Sequence, residues 1–230
     1  MEGSTVTQWP PSTAPPEVGA VIFDLDGVLV DTAKYHFRGW KRLADELGIP
    51  FTEEDNERLK GVSRMESLEI ILEIGGKSFS DDEKQKLADR KNGYYQEYIK
   101  EMTEDEILPG ARELLQALRD RGTKVAVASA SKNGPTIVRR IRLDPYFDAR
   151  VFGQDIRHSK PHPEIFLISA ERLGESPGHC IVVEDAAAGI EAARRAGMRA
   201  VGVGSEEHLG EADLVVAGLD EVSVDELLGL

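Results

Sequence analysis

A chain of 230 residues, 40% hydrophobic and 30% charged, can bury one sizeable core or carry a core domain with a smaller insertion, which sets aside a disordered chain. Its 42 acidic residues outnumber 28 basic ones, and the formal charge of −14 excludes general binding to nucleic acid or anionic membrane, because that attraction requires a basic surface. A single cysteine, Cys180, excludes a disulfide framework and reads as a small core residue in a reducing compartment.

Residues 1–18 contain Pro10, Pro11, Pro15 and Pro16 and lack both a basic start and a continuous apolar stretch, so they read as a flexible tail, not a signal peptide. Elsewhere no apolar run approaches the roughly 20 residues that span a bilayer, so a soluble, cytoplasmic monomer is expected. Residues 20–23 form an apolar, β-prone run that ends in Asp24-Leu25-Asp26-Gly27-Val28. Beyond a hinge at Asp31-Thr32-Ala33 the pattern turns wholly helical: 34–47 closed by Gly48, then 53–59, 64–74 and 81–101. A second hinge is expected over 103–108.

From Leu108 onward strand-like and helix-like runs alternate. Helices are predicted over 110–121, 135–142, 163–173 and 186–196, and strands over 124–128, 181–183, 200–203 and 214–216. Repeated αβ units with short connections imply a parallel sheet covered on both faces. The expected architecture is α/β: a doubly wound, Rossmann-like parallel sheet core made of 19–32 and 104–230, with an inserted all-α helical cap domain over 33–103.

Two acid pairs, Asp24/Asp26 and Glu184/Asp185, therefore emerge where buried parallel strands end, and open α/β sheets bind ligands at those ends. Four carboxylates held together repel one another unless a hard cation joins them, and Mg²⁺ favours carboxylates, water and substrate phosphate oxygens. The implied chemistry is Mg²⁺-dependent phosphoryl transfer. A carboxylate such as Asp24 can attack phosphorus and form an aspartyl phosphate, and Asp26, two residues on, can exchange the proton of a hydroxyl. Lys160, between Ser159 and Pro161 in a loop, can offset charge in the transition state. Ser129 ends a strand, and its hydroxyl and the Ala130 N–H can hold the transferring group. Ser131, Lys132 and Asn133 precede Gly134-Pro135 at a helix start, where free N–H groups suit a second anion, and Arg64 on the cap can close over it.

Phe23-Asp24-Leu25-Asp26-Gly27-Val28, Ala128-Ser129-Ala130-Ser131, Ser159-Lys160-Pro161 and Val183-Glu184-Asp185, in that order, resemble the four motifs of the haloacid dehalogenase superfamily. The match runs from about Gly19 to Gly204, in the branch with a helical cap after the first motif. More narrowly, Ala33-Lys34-Tyr35-His36, Gly61-Val62-Ser63-Arg64, Arg90-Lys91-Asn92 and Ser129 to Pro135 resemble its phosphosugar mutases. The resemblance implies interconversion of β-glucose 1-phosphate and glucose 6-phosphate, primed by glucose 1,6-bisphosphate. It further implies Mg²⁺ on a carboxylate oxygen of Asp24, the backbone carbonyl of Asp26 and the side chains of Glu184 and Asp185. Asp24 is then the nucleophile and Asp26 the acid and base, with His36 hydrogen-bonding and orienting Asp26. The cap and hinge positions Thr32, Trp40, Gly61 and Lys91 fall to the substrate side, Trp40 as cap core or pocket wall and Lys91 as a contact to the sugar phosphate. Ala186 departs from the pattern, where many relatives carry a small polar residue. A phosphatase with the same core, and a non-catalytic phospho-acceptor domain, remain open from these residues; a cap of about 70 residues argues against the latter, since enclosure serves a reaction that excludes water.

Overall fold

In the computed structural model, which describes residues 17–59 and 63–230, β1 (Ala20–Phe23) has all four side chains buried because helices cover both faces of its sheet. The expected tail, but for its last two residues, and Gly61 lie outside the described residues. Helices α1 (Ala33–Glu46), α2 (Glu53–Glu57), α3 (Arg64–Ile74) and α4 (Asp81–Tyr98) follow. The alternation then runs α5 (Ala111–Asp120), β2 (Lys124–Ser129), α6 (Gly134–Arg140), β3 (Ala149–Phe152), α7 (Glu164–Leu173) and β4 (Cys180–Glu184). It closes with α8 (Ala187–Arg195), β5 (Arg199–Val203), α9 (Glu206–Leu209), β6 (Leu214–Val216) and α10 (Val224–Leu228).

All pairings between these strands are parallel, and the strand order is β3-β2-β1-β4-β5-β6. The chain moves outward one way from β1 and then, from β4, the other way, so the switch point lies between β1 and β4. In a doubly wound sheet the ligand crevice opens there. Phe23 is level with Val183, and the Asp24 N–H donates to the Val183 carbonyl at 2.9 Å, so the two acid motifs leave the sheet side by side.

Side chains alternate between two apolar layers, as the strand period of two requires. Val21, Phe23, Val125, Val127, Ile181 and Val183 face one layer, with Leu114, Leu115 and Leu118 of α5. Ala20, Ile22, Ala126, Ala128, Val182 and Ala200 face the other, packed on α7 and α8. The second layer is rich in alanine, which lets those helices approach closely. Helices α1 to α4, inserted between β1 and α5, have an apolar cluster of their own that gathers Trp40, Leu43, Phe51, Leu68, Ile71 and Leu72. Tyr35, Tyr95, Ile99 and Met102 instead pack with the first sheet layer, so the base of α1 and the end of α4 are seated on the core.

The strand β3 went unpredicted because Ala149-Arg150-Val151-Phe152 has no continuous apolar run; Arg150 stands at the sheet edge, its Nε donating to Asp144 Oδ1 at 2.8 Å. The short helices α9 and α10 also lack enough turns to show a period. The helix expected over 81–101 turns to a 3₁₀ form after Tyr98. No helix among the described residues is long and apolar enough to cross a membrane.

Gly110, which starts α5, sits at φ +78°, and a Cβ there would lie 2.2 Å from the Asp220 backbone nitrogen. The nearest atoms all belong to the Leu219–Asp220 backbone, which leaves nothing flexible to move aside. Gly110→Ala should therefore lower unfolding stability by about 2 kcal/mol or more, read from the urea midpoint at unchanged m-value.

Candidate active site

Asp24 is 7% exposed and Glu184 1% exposed, each at the end of its strand. The Lys160 ammonium donates to Asp24 Oδ1 and to Glu184 Oε1, which fixes the loop before α7 against the strand ends. Both carboxylates keep Lys160 protonated far above the usual lysine range, against the opposing effect of burial. Burial pushes the Asp24 carboxyl up, Lys160 pulls it down, and Glu184 and Asp26 push it up again. One ammonium thus faces a surplus of negative charge.

Asp26 accepts a hydrogen bond from the Thr32 hydroxyl. Burial raises its carboxyl, while Thr32, Lys160 and the Ser129 hydroxyl oppose the rise. Thr32 stands at the N-cap of α1 yet gives no cap bond from its side chain. Its hydroxyl, expected on the substrate side, is committed to Asp26. The bond expected from His36 to Asp26 is absent among the described contacts. Instead the Lys91 ammonium donates to His36 Nδ1 at 2.9 Å, and the imidazole stacks on Tyr95 with centroids 4.1 Å apart. Burial, Lys91 and Arg64 push His36 down to about 3 although one face stays open to solvent, so the ring is neutral.

Burial, then Glu184, raises Asp185 to about 7, even though its outer edge is exposed. Glu184 Oε2 accepts from the N–H of Asp185 at 2.9 Å and of Ala186 at 3.0 Å, so the backbone at Ala186 is held without a polar side chain there. The donor set is all oxygen and mostly anionic, which suits a hard divalent cation. Glycines shape the space for it. A Cβ on Gly27, at φ +82°, would lie 2.0 Å from Asp185 Oδ2, and one on Gly189 would lie 2.0 Å from the Glu184 carboxyl carbon. The residues present therefore fit Mg²⁺.

Ser129 is buried, and its Oγ accepts from the Ser131 N–H at 3.2 Å; Ser131 Oγ accepts from the Asn133 N–H at 3.2 Å. Ala130 and Lys132 are exposed at the mouth of this turn. Asn133 precedes α6 but makes no side-chain cap bond. Its amide joins the cap: Gln96 Nε2 donates to Asn133 Oδ1 at 2.9 Å, and Asn133 Nδ2 donates to Asn92 Oδ1 at 3.1 Å. Lys91, one turn before Tyr95 on α4, is 2% exposed, its ammonium 4.5 Å from the Trp40 ring centroid. Trp40 is buried within the helical cluster, a wall to that ammonium. Arg64 opens α3 on the exposed side, where its charge helps depress His36 and Lys91.

Sequence reasoning named Asn92 only within the Arg90-Lys91-Asn92 motif, without a role, and left out Tyr95 and Gln96. A signal existed: Lys91, Asn92, Tyr95 and Gln96 repeat at four-residue spacing and share one side of α4.

Residues 18–197 match the family model described as haloacid dehalogenase-like hydrolase. A β-phosphoglucomutase of Bacillus subtilis is 47% identical over 208 residues, covering 90% of this chain and 92% of that protein. A phosphorylated carbohydrates phosphatase of Thermotoga maritima is 35% identical over 92% of this chain and 97% of its own. The crystal structure of β-phosphoglucomutase from Clostridium difficile superposes with TM-score 0.81 at 44% identity, covering 91% of this chain and 95% of that one.

Burial and the nearby Arg64 lower the Lys91 amine from 10.5 to about 7. Between those values the unfolded chain holds the proton and the folded chain does not, so stability must rise with pH through this window and level off below about 7. Lys91→Met should remove that rise. Urea unfolding of both proteins across the window should diverge by up to about 1.4 kcal/mol per pH unit, and parallel curves would show Lys91 to be an ordinary surface amine.

Proposed function

Because the chain belongs to the haloacid dehalogenase-like hydrolase family, we propose that it is a phosphosugar mutase, interconverting β-glucose 1-phosphate and glucose 6-phosphate through an aspartyl phosphate and glucose 1,6-bisphosphate. The observation that carries this reading is a second set of anion-binding groups apart from the strand ends. From the cap Arg64 supplies a cation and Lys91 an amine that a bound phosphate would keep protonated, and the Asn133 amide, bonded to Asn92 and Gln96, ties the turn after β2 to α4. A phosphatase needs one phosphate site; a mutase must hold a bisphosphate at both ends.

Asp24 attacks phosphorus, and the bond to the departing sugar oxygen breaks as the aspartyl phosphate forms. Asp26 gives that oxygen its proton and later takes one from the attacking hydroxyl. Lys160, bonded to Asp24, balances charge on the transferring group, which the Ser129 hydroxyl and Ala130 N–H hold. Asp24, Asp26, Glu184 and Asp185 would hold Mg²⁺, which when bound neutralises phosphoryl oxygens. His36 acts through Lys91: a neutral imidazole accepting from the ammonium keeps it aimed into the cleft. Lys132, Ser131, Asn133 and Arg64 anchor the phosphate that is not reacting. The substrate is a small phosphosugar; no nucleic acid or membrane partner is invoked.

Asp24→Asn keeps the shape of the side chain and removes the attacking charge. It should abolish phosphoenzyme formation and lower turnover by about six orders of magnitude, the scale of losing a covalent nucleophile. Near-normal rates in a coupled glucose 6-phosphate assay would sink the covalent mechanism.

Arg64→Ala tests the mutase against the phosphatase reading that the Thermotoga relative raises. Loss of a charged bidentate contact costs about 1.5–3 kcal/mol, or roughly one to two decades in isomerisation. Hydrolysis of the phosphoenzyme should change far less, because water needs no distal anchor. Phosphorus NMR gives the ratio of glucose 6-phosphate formed to phosphate released; it should fall, and an unchanged ratio would favour the phosphatase.

A further inference from the structure

We propose that His158, His162 and Glu164 form a second divalent-metal site, distinct from the acidic site, for a borderline ion of the Zn²⁺ class. His158 and His162 bracket Lys160 in the loop before α7, and Glu164 opens that helix. Each of the three offers a ligand atom, and these atoms lie within 4.8 Å of one another. The two imidazoles face each other with centroids 4.5 Å apart, and His158 Nδ1 lies 3.1 Å from Glu164 Oε2.

The carboxylate is already placed. Glu164 Oε2 accepts from the N–H of Arg157 at 3.0 Å and of His158 at 2.7 Å, so a ligand that would otherwise be a free surface side chain is fixed to the loop backbone. Those N–H groups also hold its carboxyl below the usual range, as a metal ligand requires. His162 Nδ1 accepts the Glu164 N–H at 3.2 Å, which keeps that ring turned toward the cluster.

Donor chemistry selects the ion. Zn–N and Zn–O bonds of about 2.0–2.1 Å put tetrahedral ligand atoms about 3.3 Å apart. The atoms must therefore close in by at most about 1.5 Å, which exposed imidazoles can do by side-chain rotation. Imidazole nitrogens suit Zn²⁺, Co²⁺ or Ni²⁺, whereas Mg²⁺ prefers oxygen and keeps its waters. Water completes the coordination sphere, as in other three-ligand sites. An ion held by His158 and His162 closes a chelate ring around Lys160, tethering the segment whose ammonium bonds Asp24 and Glu184. The inference rests on the loop geometry and not on the mutase reading.

The test is calorimetric titration of Zn²⁺ into the whole protein with Mg²⁺ in large excess, so that the acidic site is filled. One Zn²⁺ per chain should bind the wild type. His158→Ala and His162→Ala should each weaken binding by about tenfold or more, and the double variant should lose it, with unchanged far-UV circular dichroism because both imidazoles are exposed. Co²⁺ in the wild type should give visible absorption of a nitrogen-ligated ion that disappears in the double variant. Absence of saturable binding to the wild type, or equal affinity in the double variant, would overturn the site.

Discussion

Four carboxylates at the ends of two adjacent strands, with one ammonium among them, set the terms for the rest of this fold. Like charges about 4 Å apart repel by about 4 kcal/mol at an effective dielectric of 20, so the cluster survives only where the scaffold forces it. Force comes from the sheet: β1 and β4 are buried on both faces, and their pairing carries Asp24 beside Glu184 whatever those acids prefer. Lys160 relieves part of the repulsion by bonding both. Its loop must therefore cross from β3 to the centre of the sheet before α7 begins. Gly27 and Gly189 meet the same demand from the other side, since a methyl group at either would strike a site carboxylate. Sheet order, loop path and glycine placement are in this sense consequences of one electrostatic problem.

The core was legible because buried parallel strands write themselves as apolar runs, and an acid pair after such a run has few places to be. Motif residues Asp24, Asp26, Ser129, Lys160, Glu184 and Asp185 were accordingly found by position along strands and loops. Edge strand β3 was not, since Arg150, the one residue of the strand that is not buried, breaks a run of only four. Cap residues were harder for a different reason. Sequence spacing tells which residues share a helix face, but not what faces them across a seam. Lys91 sits in the charged run Asp89-Arg90-Lys91, which reads nearly as well as a solvated face; only the structure shows its amine buried against Trp40, Tyr95 and His36. Asn133 likewise reads as an ordinary cap until its amide is seen bonding Gln96 and Asn92.

These seam contacts bear on how the helical block is held. It has its own apolar cluster, yet Tyr35, Tyr95, Ile99 and Met102 belong to the sheet's first layer. Helix α4 thus spans both bodies, its first half in the cap and its last turn on the core. At the hinge, Glu106 gathers the linkers: its carbonyl accepts from the Asp31 N–H at 3.1 Å, and its carboxylate takes the Tyr35 hydroxyl at 2.6 Å and the Lys34 ammonium at 2.5 Å. Exposed ion pairs contribute little, but Glu106 is largely shielded and the Tyr35 bond is half-buried, so this junction is stiffer than its charged composition suggests.

A stiff hinge next to the acid pair couples cap to chemistry through one hydroxyl. Thr32 is both the residue from which α1 departs and the donor to Asp26. Had its side chain capped α1, the helix would gain about 1 kcal/mol and Asp26 would lose its partner. Sequence preference at an N-cap is thus overridden by the need to hold a buried carboxylate. Because the donor is the residue at which α1 begins and the acceptor lies in the first loop of the core, a rotation of α1 that carries Thr32 with it lengthens or breaks that bond. The environment of the proposed proton-transfer group is consequently a function of cap position, and the same seven residues from Asp26 to Thr32 set both.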